Sequence, residues 1–199
     1  MSLFNKNQDQ EVQPVSQRQK LEGRYASSRH NILLVLAFTA INMVLLLANS
    51  NTYFLFSAYI PYAIVDLGMF LCGKYPAEIY GDLSQYEFFG TGVLAIFVAV
   101  AAVICVLYLL CWLFSKKKRV AWMIIALVMF VLDTALMLLA GGSADNIIDV
   151  VFHGWVILSL SMGVAARFKL KKLPEEEPAP VAEPVQTEET ASGEELTQS

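Results

Sequence analysis

Asn42, Asp133 and His153 are the side chains of this sequence able to do polar chemistry inside otherwise apolar runs. A carboxylate and an imidazole within hydrogen-bonding reach can hold or pass a proton, and an amide can orient either of them. Their depths agree. At 1.5 Å of rise per helical residue, each lies roughly 10 Å from the same end of its run. Neighbouring helices would bring Asp133 opposite His153, with Asn42 close enough to join them. An ionised carboxylate facing lipid is costly, so Asp133 should face inward and find a donor. This predicts a polar layer that ties helices together, with a protonation site for transport or sensing as the sharper alternative.

Asp149 precedes His153 by four residues and so shares its helical face. With Asp133 it offers oxygen and nitrogen ligands at a spacing that could interest a metal. Capping of a helix start explains Asp149 as well, and the expectation is no metal and no cofactor. A second group, Asp66, Tyr59 and Tyr62, could line an outer pocket with Asp149 if residues 53–72 fold inward. Tyrosines also anchor at a membrane interface, where the ring is buried and the hydroxyl stays wet. No nucleophile and base stand at catalytic spacing, so no catalytic residue is assigned.

The elements that must position these residues are four apolar runs, at about 32–49, 93–114, 120–140 and 147–166. Roughly 20 apolar residues match the hydrocarbon thickness of a bilayer. The fold expected is therefore all-α, a multi-pass membrane protein with a bundle of four transmembrane helices. Lys116, Lys117, Lys118 and Arg119 separate the second and third runs and act as topology anchors, with Trp112 and Trp122 flanking them at headgroup depth.

The run 53–72 is long and apolar enough to invite a fifth span, but Pro61, Asp66 and Gly68 interrupt it. Charge decides against it. With four spans, every basic residue of the fourteen except Lys74 falls on one side, which the positive-inside tendency makes cytoplasmic. A fifth span would carry either the amino-terminal cations or the 116–119 cluster outside. Residues 53–72 are therefore expected to form an outer-face interfacial helix or a re-entrant pair broken near Pro61. The acidic connection 73–90 follows, with Asp82 a plausible helix cap. In the second span, Ala95, Ala99 and Ala102 suggest a small-residue face for close helix contact.

The domain plan is a flexible cytoplasmic arm over 1–30, a membrane domain over 31–172, and a tail over 173–199. The tail carries eight glutamates and no lysine or arginine, a composition expected to stay disordered. Cys72, Cys105 and Cys111 include no CxxC pair and read as packing thiols. The basic segments beside the spans suit membrane lipids as partners, and nothing calls for nucleic acid.

The stretch Asn51-Thr52-Tyr53-Phe54-Leu55-Phe56-Ser57-Ala58-Tyr59-Ile60-Pro61-Tyr62, with Asp66-Leu67-Gly68 after it, resembles a small uncharacterised family of four-span membrane proteins from Gram-positive bacteria. The resemblance implies a bacterial cell membrane and transfers no activity or site residue. The function expected is a non-enzymatic scaffold or regulatory subunit of a membrane assembly, working with a protein partner or as a homo-oligomer. The alternative is a small transporter or proton-responsive channel subunit using Asp133 and His153. A membrane-embedded enzyme of unspecified reaction comes third.

Overall fold

The computed structural model describes residues 16–82, 85–116, 119–140 and 147–173, and it is all-helical over them. Six helices follow in order: α1 (Gln17–Leu47), α2 (Tyr59–Leu71), α3 (Ala77–Tyr80), α4 (Thr91–Ser115), α5 (Val120–Leu139) and α6 (Ile147–Leu170). α1, α4, α5 and α6 are each long and apolar enough to cross a membrane. They close a ring in which α1 packs on α6 and α4, and α5 packs on α4 and α6. The protein is a four-helix membrane bundle.

α2 has 13 residues, about 20 Å of helix, well short of the roughly 30 Å hydrocarbon layer. It is not a span. It wedges against α4, α1 and α5 in the half of the bundle remote from Lys116 and Arg119, here termed the distal half. Its buried face, Val65 and Met69, makes a core with Met43 and Leu46 of α1 and Ala101 of α4. The close approach of α2 to α4 needs Gly68, since a Cβ there would lie 2.7 Å from that of Phe97. A second core, with Ile32, Val35, Phe130, Val156 and Leu160, fills the bundle nearer the basic end.

Both limbs leading into and out of α2 stop cleanly. Asn49 (φ 51°) ends α1, with Ser50 N–H donating to Leu45 O and Asn49 N–H to Leu46 O. Gly73 (φ 64°) ends α2 in the same way, through Lys74 N–H to Met69 O and Gly73 N–H to Phe70 O. This paired left-handed termination satisfies carbonyls that a helix end leaves free. The two ends are joined by Asn49 Nδ2–H donating to Lys74 O at 3.2 Å.

Several expectations are corrected. Residues 17–30 are not a flexible arm; they continue α1 beyond the apolar run. The reason is a stripe that crosses the charged boundary: Tyr25, Ser28, Ile32, Val35, Thr39, Asn42 and Leu46 recur at three- and four-residue steps and are all buried. Ser16 caps this helix by accepting from Gln19 N–H. Ala95, Ala99 and Ala102 face outward, and the small residue at the packed face of α4 is Ala101. α3 ends before Asp82, and Asp82 instead holds the 3₁₀ residue Gln85, whose backbone N–H donates to Asp82 O and whose side-chain amide donates to Asp82 Oδ2, both at 3.3 Å. Residues 1–15, Lys117, Lys118, the 141–143 turn and the tail from 174 onward lie outside the described residues.

Candidate functional site

The polar layer is organised around the start of α2. A helix leaves its first four backbone N–H groups without intrahelical partners. Here those belong to Ala58, Tyr59, Ile60 and Pro61, the last having no N–H to satisfy. Ala58 N–H donates to Thr39 Oγ1 at 2.8 Å. Tyr59 N–H and Ile60 N–H donate to the two carboxylate oxygens of Asp133 at 2.8 and 2.7 Å. Every group is provided for, so a helix can begin deep within the bundle.

Residues 49–58 deliver the chain to that point without regular structure. Asn42 holds them: its Nδ2–H group donates to Phe54 O at 2.7 Å and Ser57 Oγ at 2.9 Å, and its Oδ1 accepts from Phe54 N–H at 2.8 Å. Asn42 therefore grips the inbound limb through the backbone N–H and C=O of Phe54 and the Ser57 hydroxyl, and these bonds take up its amide in place of Asp133 and His153. Phe56, with φ 68°, adopts a backbone conformation rare for a bulky residue. Its ring packs against Phe152 at a centroid distance of 3.8 Å, tilted by 42°, and meets Trp155 edge-on. This packing explains how the turn is retained. Residues 49–71 are thus an irregular limb that enters the bundle and a helical limb that leaves it.

Asp133 and His153 do face each other, with His153 Nε2 3.6 Å from Asp133 Oδ2. That distance is an electrostatic contact, beyond hydrogen-bond range. The other ring nitrogen fixes the tautomer: Nδ1 lies 2.9 Å from Asp149 O, a carbonyl that can only accept, so Nδ1 carries a proton. Asp149 Oδ1 is 3.4 Å from the same nitrogen. Phe130 stacks on the imidazole at 5.1 Å and closes the layer. Asp149 thus belongs to the His153 cluster, not to the distal cleft. Among the described residues, no group of three His, Cys, Asp or Glu side chains is arranged to hold a metal ion.

The distal cleft lies on the other side of α2 and encloses about 600 Å³. Tyr62 and Asp66 line it from successive turns of α2. Tyr59 does not line it; its position at the first turn of α2 commits its backbone to Asp133. Two residues that the sequence did not single out as site residues complete the polar walls. Tyr53 stands edge-to-face with Tyr62 at 5.2 Å and is held by a hydrogen bond with Ser57. Tyr75 donates its hydroxyl to Asp66 Oδ1, and its own N–H donates to Tyr80 OH at 3.2 Å. Burial, reinforced by the Asp66 hydrogen bond and charge, pushes the Tyr75 phenol above its ordinary range.

At the basic end, Lys116 and Arg29 lie 5.5 and 6.0 Å from the Trp112 ring. Arg29 donates to Ser115 Oγ and Trp112 O, and Tyr25 OH donates to Ser115 O. Cations and donors at the end of α4 complement its free carbonyls. Arg119 stands at the start of α5.

No protein-family model, curated protein or solved structure matches this chain. In the layer, Asp133 gives both oxygens to backbone N–H groups, which suits a structural clasp.

Proposed function

We propose that this chain is a non-enzymatic multi-pass protein of the bacterial cell membrane that scaffolds or regulates a membrane assembly. The observation that carries the reading is the bond pair from Asp133 to Tyr59 and Ile60. Asp133, a buried carboxylate beside α2, is spent on building a re-entrant element, and that element shapes a cleft on the distal surface. Such a design favours presentation of a fixed surface over turnover.

Orientation follows from charge. Arg18, Lys20, Arg24 and Arg29 share the basic end with Lys116, Arg119, Arg167, Lys169, Lys171 and Lys172, while Lys74 stands at the distal end with Asp66, Glu78, Asp82 and Glu87. The positive-inside tendency puts the basic end, and so both termini, in the cytoplasm. Membrane lipids are partners at both ends, and the assembly partner is another membrane protein or a second copy of this chain.

The full chain, crosslinked in native membranes and purified through a tag, should bring one stoichiometric protein or a dimer of itself. A monomer with no crosslinked protein under those conditions would count against scaffolding. A second reading rests on His153 Nε2, which is buried beside Asp133 and has no hydrogen-bond partner among the described residues. It makes the chain a proton-responsive transport subunit. Proton flux into vesicles carrying the purified chain, above that of empty vesicles and abolished by His153→Ala, would favour this reading and displace the first.

A further inference from the structure

We infer that the distal cleft is a binding site for an alkylammonium group, carried either by a small soluble amine or by a lipid headgroup. The inference stands on the cleft and does not depend on the scaffolding role.

Four observations point to the charge and shape of the ligand. Asp66 is half-buried in the cleft wall, and among the described residues no cation pairs with it. Its one hydrogen-bond donor, Tyr75, is neutral, so the carboxylate is oriented without being neutralised. Tyr62 lies one helical turn before Asp66, and Tyr53 meets it at 80°. Two tyrosine rings at right angles beside a carboxylate form the corner of a cage that attracts a compact cation through the ring faces. A carboxylate ligand would be repelled by Asp66, and a neutral sugar would leave the Asp66 charge unmet.

The lining also holds apolar side chains, Leu67 and Phe70 of α2 and Ile79 of α3. It would accept methyl groups or the first methylenes of an acyl or alkyl chain. At about 600 Å³ the cleft falls within the range of roughly 300–1,000 Å³ common for small-ligand sites. It is also placed for access: α2 runs outward from Asp133, so the cleft opens at the distal end where an interfacial headgroup or a dissolved amine would arrive. The surrounding acids Glu78, Asp82 and Glu87 outnumber Lys74 there and favour cation approach.

The test uses the full chain in nanodiscs of phosphatidylglycerol. In one arm, radiolabelled choline and ethanolamine are measured by equilibrium dialysis; in the other, phosphatidylethanolamine is titrated in and retained lipid is read by native mass spectrometry. Saturable binding in the first arm identifies a soluble amine; binding in the second alone identifies a headgroup. Either should weaken at least tenfold in Asp66→Asn and in Tyr62→Leu, and persist in Tyr75→Phe, which keeps the carboxylate. Absence of saturable binding in both arms overturns the inference. So does equal binding by Asp66→Asn, or loss in Tyr75→Phe as complete as in Asp66→Asn, which would make the pair a merely structural contact.

Discussion

Asp133 accepts the backbone N–H of Ile60 at 2.7 Å across 73 positions of sequence, and its second oxygen accepts Tyr59 N–H. A side chain of α5 therefore caps a helix that it does not belong to. Removing it leaves two buried donors unpaired and takes away one of the two carboxylates beside His153. Asp133→Ala should cost about 3–5 kcal/mol, the range for breaking a buried charged pair from one side. Asp133→Asn keeps one acceptor oxygen and should cost less. Hydrogen exchange at Tyr59 and Ile60 reads the effect locally, and unchanged protection in Asp133→Ala would refute the clasp.

Thr39 completes the same cap. Its hydroxyl donates to Val35 O at 2.7 Å and accepts from Ala58 N–H at 2.8 Å, in a position 1% exposed. Thr39→Val preserves the shape and strands the Ala58 donor, so a loss of about 1–3 kcal/mol is expected. Thr39→Ser restores the oxygen and should recover most of it. Denaturant midpoints in one detergent compare the three, and a Val variant as stable as the parent would show that Ala58 finds another partner.

The spans were legible because apolar length is a property of sequence; Pro61, Asp66 and Gly68 interrupt 53–72, and the charge count argued against its crossing. Their reasons differ. Pro61 falls at the one early helical position where a missing N–H costs nothing, Asp66 faces the cleft, and Gly68 admits Phe97. Depth counting brought Asp133 to His153. It could not reveal that Asp133, Thr39 and Asn42 all hold the backbone of 54–60, because a backbone N–H carries no residue signature. The same blindness hid the first turns of α1, whose buried stripe uses Tyr25 and Ser28, residues a hydropathy count treats as polar.

Tyr75 gives a pH signature outside the spans. Burial first, then the Asp66 hydrogen bond and charge, favour its neutral phenol in the folded chain and raise its titration. The sign follows: this contribution to stability is complete below the ordinary tyrosine range near pH 10 and is lost as pH rises through the higher folded value. Asp66→Asn removes the charge and leaves the burial, so the Tyr75 titration should move down without returning fully to the ordinary range. Tyrosinate absorbance, taken as the difference from Tyr75→Phe, measures it. An unmoved titration in Asp66→Asn would mean that the carboxylate does not govern this phenol.

Gly163 marks the tightest meeting of α1 and α6. A Cβ there would lie 2.5 Å from Ser28 Cβ and 2.6 Å from its Oγ, while Ser28 donates to Ser159 O at 2.7 Å. Since a Cβ cannot rotate away, Gly163→Ala must push the helices apart or break that bond, at about 1–3 kcal/mol. Ser28→Gly removes the obstructing atoms but carries its own costs, including about 0.5–1 kcal/mol for glycine within a helix. If the clash is the cause, the double variant should lose less than the two single losses combined, since neighbouring substitutions are coupled. Unfolding midpoints for the four proteins decide it. Strict additivity would place the cost of Gly163→Ala elsewhere than at the Ser28 contact.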